Sequence, residues 1–324
     1  MATPTLSAPL RERGASRRGD RLFAGLTRAA GVLVLVLIVA IGLFLLQKAV
    51  PAVRMDTGNF LTTKVWSPDN TPAVFGVAAL VFGTLLSSAL ALLIAGPVAI
   101  GIALYITEFA PRPLARPVGY LVDLLAAVPS VVYGLWGLLF LVPYSGKFQE
   151  FLGAHLGFLP LFDLGDSGVV GRSVLLASLV LALMVLPIVA AISREIFLQV
   201  PQANREAAIA LGATRLEMIR MAVLPYSRSG VTGALMLGLG RALGETIAVA
   251  LVLSLSPTTS FHILDANIGG NTIAANIAAQ YQAAEPLGQK ALIASGLVLF
   301  VITFAVNGVA RYVVSRSSKR LAGA

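Results

Sequence analysis

Arg241 and Glu245 are two ionisable residues in the middle of an apolar stretch, about Val231 to Leu255, that is long enough to cross a membrane. A charged side chain at such a depth costs roughly 2.5–3.5 kcal/mol even on insertion scales, unless it is paired or hydrated. On a helix the two residues share one face, so they could neutralise each other and merely help the helix to insert. Alternatively, Arg241 faces a hydrated pathway and offers its planar, permanently charged guanidinium to an oxyanion, while Glu245 holds that group. The spacing alone leaves both interpretations open.

Glycines recur along the same stretch and make the predicted helix thin. They are Gly233, Gly238, Gly240 and Gly244. Because glycine has no side chain, such a helix can pack closely against a neighbour or leave a pathway beside it.

The polar connection that precedes this stretch predicts two short helices joined by a corner. Pro201 suits the first turn of the first helix, and Gly212 suits the left-handed position that ends it. Thr214 and Glu217 have the spacing of a capping box, which begins the second helix, and Pro225 marks its end. Small and apolar side chains on this pair fit the groove of a partner protein. A helix that lies on the lipid headgroups is the alternative.

Other kinds of chemistry lack the residues that they need. The sequence contains no cysteine, which excludes disulfides, thiolate catalysis and cysteine-bound metals. The two histidines, His155 and His262, lie far apart, so we expect no metal site and no cofactor. The segment Ser145-Gly146-Lys147 lacks the partner glycine of a phosphate-binding loop. We therefore expect that this chain does not hydrolyse ATP itself.

The elements that position these residues are membrane helices, because the composition is far from that of a soluble protein. Hydrophobic residues make up 57% of the chain, charged residues make up 12%, and the mean hydropathy is +0.86. Soluble domains average about 45–50% apolar and about 25% charged residues. We predict an all-α polytopic membrane protein of about six transmembrane helices. Their predicted bounds are about 29–46, 73–104, 118–141, 169–192, 231–255 and 291–314.

The basic residues fall mainly on one side of this predicted topology. Most of the 24 lysines and arginines lie in the two tails and in alternate connections, as the positive-inside rule requires. We therefore expect a cytoplasmic basic tail at 1–28, a transmembrane domain at 29–314 with a cytoplasmic loop at 193–230, and a cytoplasmic tail at 315–324. The same pattern explains the net charge of +9 without a nucleic-acid partner.

The loop at 193–230 carries a motif that resembles the EAA loop of bacterial ABC importer permeases. Glu206-Ala207-Ala208 is followed after three residues by Gly212, and after nine more by Ala222-Val223-Leu224-Pro225, where Ala222 replaces the usual isoleucine. The resemblance implies a type I ABC importer permease fold. It also implies that a separate ATP-binding subunit is coupled to the chain through Glu206, Ala207, Ala208, Gly212, Leu224 and Pro225.

Two further segments resemble the phosphate-specific transport permeases of the PstC kind. They are residues 238–246 (GLGRALGET) and residues 127–137 (AVPSVVYGLWG), and the likeness extends from about Arg21 to Arg311. This resemblance implies import of inorganic phosphate across a bacterial plasma membrane, with Arg241 and Glu245 as functional charges within the bilayer. It further implies a second permease subunit of similar fold, two ATP-binding subunits and an extracytoplasmic phosphate-binding protein as partners.

Two other interpretations of the chain remain open at this stage. A permease for another oxyanion, such as sulfate or molybdate, would carry the same charges, and competition with labelled phosphate uptake distinguishes it. A membrane scaffold that takes part in signalling and moves nothing is the more distant alternative. The EAA motif argues against a scaffold, which needs no surface matched to an ATPase.

Overall fold

Helices account for most of the regular structure in the computed structural model, which describes residues 17–164, 170–254, 256, 262–265 and 270–322. The elements in chain order are α1 (Arg17–Met55), β1 (Trp66–Ser67), β2 (Val74–Phe75), α2 (Ala78–Leu104), α3 (Arg112–Ala126), α4 (Ser130–Trp136), α5 (Val142–Tyr144), α6 (Gly146–Leu156), α7 (Val174–Leu198), α8 (Gln202–Ala210), α9 (Arg215–Met218), α10 (Leu224–Gly244), α11 (Ile247–Val252), α12 (Ile273–Gln280) and α13 (Pro286–Ala322). Wider π-helical turns follow α2, α4 and α9, at Tyr105–Phe109, Gly137–Leu141 and Ile219–Val223, and a 3₁₀ turn spans Pro160–Phe162. The short strands β1 and β2 pair antiparallel.

Among the described residues, four helical stretches are long and apolar enough to cross a membrane. They are Gly19–Met55, Ala78–Phe109, Val174–Leu198 and Pro286–Tyr312, with 37, 32, 25 and 27 residues. Each exceeds the ~20 residues that span the hydrocarbon core. Four of the predicted spans fall on these helices, and the predicted all-α membrane fold is confirmed. Because α1 begins at Arg17, the predicted tail at 1–28 ends in helix, and its residues 1–16 lie outside the described residues.

The third predicted span, 118–141, is not one straight helix. Helices Arg112–Ala126 and Ser130–Tyr144 form a pair bent by 89°. Pro129 lies at the bend, where it has no backbone N–H to donate and disfavours a helical conformation in the preceding residue. The Tyr133 hydroxyl donates a hydrogen bond to the Leu125 carbonyl over 2.9 Å, which ties the two arms of the bend together. If this pair counts as one span, the part of the chain that the structure describes has up to five by length and composition.

The fifth predicted span, 231–255, differs most from the expectation. Helix α10 already begins at Leu224 and ends at Gly244, and α11 begins only at Ile247. Two arginines and several hydroxyl residues make α10 less apolar than the four long helices, so it is not counted among them. The prediction that Pro225 ends a helix is also wrong. Pro225 lies in the first turn of α10, directly after a π-helical turn, where its missing N–H is tolerated.

The chain divides into two compact units, residues 1–47 and 48–324. In the first unit the described part belongs to α1, and its apolar side chains are exposed. In the second unit α7 is the central helix, because both α2 and α10 pack against it. Buried alanines of α2, such as Ala95 and Ala99, let the backbones approach closely. At Gly238 of α10 a Cβ atom would lie 2.7 Å from Val185 of α7, so this contact requires glycine.

Candidate functional site

The backbone breaks at Glu245, between α10 and α11. Glu245 is extended, with φ −69° and ψ 129°, so it does not continue α10. Its carboxylate accepts a hydrogen bond of 3.2 Å from the backbone N–H of Ala248, in the first turn of α11. A carboxylate at this position satisfies a free N–H group and favours the positive end of the helix dipole. Glu245 therefore stabilises the start of α11.

Arg241 does not pair with Glu245. Within the described residues no ion pair joins these two side chains, although the spacing predicted that they could neutralise each other. The reason is the backbone break, which removes Glu245 from the helical face that carries Arg241. The side chain of Arg241 is exposed. Its charge is therefore available for another group on this side of α10.

Arg241 lies on an open face of α10. A Cβ atom added at Gly233, Gly240 or Gly244 would meet no atom within 4 Å, and Leu237 is 57% exposed. At about 100° per residue these positions fall on one side of the helix. The adjacent side of the helix, which includes Gly238, packs against α7. We call the exposed side, defined by Gly233, Leu237, Gly240, Arg241 and Gly244, the open face.

The two segments that resemble PstC permeases lie next to each other. A Cβ atom at Gly134 of α4 would lie 2.7 Å from the Cα atom of Ala248 in α11. One residue earlier, Tyr133 lies within electrostatic range of the Arg241 guanidinium. The bend after α3 and the break after α10 therefore form one region, in which glycine permits the close approach of α4 and α11.

Arg172 fixes the far end of α11. Its guanidinium donates hydrogen bonds to the carbonyl oxygens of Ala250 and Leu251 over 3.1 and 2.8 Å. With Glu245 at one end and Arg172 at the other, this short helix has a matching charge at each end of its dipole. The sequence analysis did not identify Arg172, because its two hydrogen bonds reach residues that lie 78 and 79 positions further along the chain.

The polar loop forms the predicted corner at Gly212. Helix α8 ends at Ala210, and Gly212 adopts φ +86°, a left-handed conformation that favours glycine. The capping box is confirmed. The Thr214 hydroxyl accepts from the Glu217 N–H, and the Glu217 carboxylate accepts from the Thr214 N–H over 2.8 Å. These hydrogen bonds from Thr214 to the carboxylate lower the pKa of Glu217 below its ordinary value.

The corner presents apolar side chains outward. Leu211 is 85% exposed, and Ile209 and Leu216 are also exposed. Of the predicted coupling residues, Glu206, Ala207 and Gly212 are exposed, Ala208 is buried, and Leu224 and Pro225 are half-buried in the start of α10. Ala208 packs in a cluster with Met218, Ile219 and Val223, which attaches α8 to the following helix. The end of the bundle that carries this loop is called the EAA end below.

A buried ion pair attaches α8 to α2. The Arg205 guanidinium lies 2.9 Å from the Glu108 carboxylate, and the two side chains are 15% and 6% exposed. Arg205 also donates to the Phe197 carbonyl at the end of α7 over 2.6 Å. Arg215, beyond the corner, donates to the Glu108 carbonyl over 3.4 Å. Glu108 is therefore the point at which both sides of the corner meet α2, and the sequence analysis missed it.

The corner and Arg241 lie on one continuous helical stretch. Helix α9, the π-helical turn Ile219–Val223 and α10 follow one another without a gap, from Arg215 to Gly244. The described residues contain no group of three or more potential metal ligands. The arrangement is thus suited to mechanical linkage and to contact with an anion.

Comparison with known proteins places this chain in a family. Residues 95–319 match the family described as binding-protein-dependent transport system inner membrane component. The match covers more than half of the chain, which therefore belongs to this family of multi-pass membrane proteins. Within the family, its relatives are PstC permeases. The PstC 2 phosphate transport system permease protein of Mycobacterium tuberculosis is 48% identical over 300 residues, which cover 91% of this chain and 92% of the relative. The PstC proteins of Mycobacterium leprae and Xylella fastidiosa (strain 9a5c) are 46% and 42% identical, over 91% and 94% of this chain and 93% of each relative.

A solved structure supports the fold. A bacterial ABC transporter involved in the import of the acidic polysaccharide alginate has a chain that superposes with a TM-score of 0.56. The alignment covers 91% of this chain and 99% of that chain at 18% sequence identity. The predicted type I ABC importer permease fold is confirmed.

Proposed function

We propose that this chain is the permease subunit of an ATP-driven importer and that it conducts inorganic phosphate across the membrane. The observation that carries the proposal is Arg241, an exposed guanidinium without a carboxylate partner among the described residues. An unpaired charge within an apolar bundle is costly unless it serves a hydrated pathway or a ligand. A planar guanidinium forms two parallel hydrogen bonds with phosphate. The relatives' shared description as phosphate transport system permeases supports phosphate as the solute.

The open face of α10 is the surface that the proposed second permease subunit would face. Gly233, Gly240 and Gly244 leave space beside Arg241 that no part of the described chain fills. A second permease of similar fold facing this side would enclose a pathway, with Arg241 partway along it. An extracytoplasmic phosphate-binding protein would deliver the anion to the end of the pathway opposite the EAA end. We place Glu245 beside the same pathway, where its hydrogen bond to the Ala248 N–H fixes the backbone that follows Arg241.

ATP hydrolysis takes place on two separate ATP-binding subunits, and this chain has no catalytic residue in the proposed mechanism. The exposed apolar side chains of the corner, above all Leu211, dock in a cleft of such a subunit. Glu206, Ala207, Ala208, Gly212, Leu224 and Pro225 form or support this contact. Movement of the corner passes along the continuous helix to α10, and the bundle exchanges inward for outward opening.

In the proposed orientation the EAA end faces the cytoplasm, since the ATP-binding subunits are cytoplasmic. Both termini then lie in the cytoplasm of a bacterium, and the protein is embedded in its plasma membrane. The basic residues of the N-terminal tail and of the loop support this orientation.

The test is reconstitution of the complete transporter in liposomes with its binding protein and labelled phosphate. The wild-type complex is expected to accumulate phosphate only with ATP. Arg241→Gln is expected to abolish uptake while the complex still assembles. Arg228→Gln is the matched control, because it removes an exposed arginine from the same helix without altering the open face.

Three results would contradict the proposal. If the complex accumulates no solute although ATP is present, the result favours the interpretation of the chain as a membrane scaffold. Strong competition by sulfate or molybdate at equal concentration favours another oxyanion. Normal uptake by Arg241→Gln would remove Arg241 from the pathway.

A further inference from the structure

We propose that Ser229, Asn307 and Arg311 form a second oxyanion site, which receives phosphate between Arg241 and the EAA end. This inference rests on the proposed function, because it assigns a second step to the same solute. The site lies between α10 and α13, and no part of the EAA motif or of the PstC-like segments includes it.

The site is a cavity of about 400 Å³ between the two helices. Ser229 and Gly233 of α10 form one wall, and Asn307 and Arg311 of α13 form the other. Its volume lies within the range of small-molecule pockets, about 300–1,000 Å³. The remaining lining residues are apolar, so the polar groups define what the cavity can bind.

The polar groups suit an anion. A hydroxyl, a carboxamide and a guanidinium line the cavity, and no carboxylate of the described residues does. In the part of the chain that the structure describes, the side chains of Ser229, Asn307 and Arg311 have neither a hydrogen bond nor an ion pair. All three side chains can donate hydrogen bonds, and the guanidinium adds a permanent positive charge. This set matches the oxygens of a phosphate ion.

The position of the cavity connects it to Arg241. Gly233 lies on the open face eight residues before Arg241, which corresponds to about 12 Å along the helix axis. Among the described residues no atom lies within 4 Å of a Cβ built at Gly233 or at Gly240, and Leu237 between them is 57% exposed, so both sites lie on the same exposed side of α10. A pathway with several weaker sites lets an ion leave more readily than one deep site does. Arg311 therefore supplies the next positive charge on the route toward the EAA end.

The absence of cysteine from the chain permits a direct measurement. Gly233→Cys introduces a single thiol into this subunit, and there is space for its Cβ atom. The complete transporter carrying this variant is reconstituted in vesicles, and alkylation of this subunit by N-ethylmaleimide is followed by mass. Inorganic phosphate is expected to slow the alkylation, and chloride at equal ionic strength is not.

Arg311→Gln in the Gly233→Cys background tests the residue itself. Loss of one charge-assisted contact weakens binding about tenfold or more, so half-protection should require about ten times more phosphate. Arg228→Gln is the matched control and should leave protection unchanged. If Arg311→Gln does not assemble, two other measurements decide the question. They are the protection of the thiol by phosphate in Arg311→Lys, which keeps the charge, and the same protection in the parent variant.

Four outcomes overturn the inference. The first is that phosphate fails to protect the thiol. The second is that phosphate protects the thiol of Arg311→Gln as well as it protects the thiol of the parent variant. The third is that Arg228→Gln weakens protection as much as Arg311→Gln does. The fourth concerns lipid phosphate. If vesicles of phosphatidylglycerol protect the thiol without added phosphate and vesicles of phosphatidylcholine do not, Arg311 binds a headgroup instead. In each case ATP-driven uptake by the wild-type complex, which has no thiol in this subunit, shows separately whether the proposed function stands.

Discussion

The Glu108 carboxylate accepts a hydrogen bond of 2.9 Å from the Arg205 guanidinium, although the two residues are 97 positions apart in the chain. Arg205 lies on α8, and Glu108 lies in the π-helical turn that follows α2. The pair connects the proposed docking helix to α2, the helix that packs along the central α7. In the proposed mechanism, a push on α8 would therefore reach α2 as well as α10.

Glu108→Gln is expected to loosen α8. It leaves the Arg205 guanidinium, which is 15% exposed, without an ionised partner, and this costs up to about 3–5 kcal/mol. Hydrogen exchange of residues 202–213 in the assembled complex should become faster, and less phosphate should enter per ATP hydrolysed. The double variant Glu108→Leu with Arg205→Met removes both charges and should restore slow exchange. Equal exchange in Glu108→Gln and wild type would exclude this role for the pair.

Gly212→Val is expected to uncouple ATP hydrolysis from uptake while membrane insertion stays normal. Gly212 has φ +86°, and no atom lies within 4 Å of the place that a Cβ atom would occupy, so the penalty comes from the backbone. A left-handed conformation costs a side-chain-bearing residue about 1–2 kcal/mol, and a β-branched residue more. Gly212→Asn is the matched control, because asparagine tolerates this conformation. Coupled transport by the valine variant at the wild-type ratio would contradict the prediction.

Substitutions at Glu245 separate its structural role from its charge. Glu245→Gln retains an oxygen that can accept from the Ala248 N–H, so the stability of the complex should remain near that of wild type. Glu245→Ala loses this hydrogen bond and should lower the free energy of unfolding by about 0.5–2 kcal/mol. Thermal unfolding of the purified complex measures the difference. Equal stability of the two variants would show that the bond contributes nothing.

Gly134→Ala is expected to push α4 away from α11. Its Cβ atom would lie 2.7 Å from the Cα atom of Ala248, so the backbone must shift. Such overpacking typically costs about 1–3 kcal/mol. Gly101→Ala in α2 is the control, because nothing lies within 4 Å of that position. Both the melting temperature and phosphate uptake should fall in Gly134→Ala and not in Gly101→Ala. Unchanged values in Gly134→Ala would show that α4 and α11 can separate without consequence.

Local signals in the sequence predicted local structure well. The left-handed Gly212 and the Thr214–Glu217 capping box depend on residues within one or two turns, and both are present. The same kind of signal failed at Pro225, because a π-helical turn before the proline lets the helix continue.

Features that depend on tertiary packing were not predictable from one sequence. The pairing of Arg241 with Glu245 assumed an unbroken helix, whereas the backbone turns away at Glu245 and the carboxylate caps α11. The ion pair of Glu108 with Arg205 joins distant segments, and no local pattern indicates it. Hydropathy likewise reports length and polarity, so it could not distinguish a straight span from the pair bent by 89°.

The continuous helix from Arg215 to Gly244 has the geometry of a lever about 45 Å long. Its close contact with the central helix at Gly238, against Val185 and Val189, would act as the fulcrum. Arg241 is one turn from that fulcrum, about 4.5 Å along the axis, whereas Arg215 is about 35 Å from it. Tilting the rod therefore swings the corner by several times the displacement of the guanidinium. In the proposed transport cycle the positive charge would stay almost stationary while the two ends of the bundle rearrange around it.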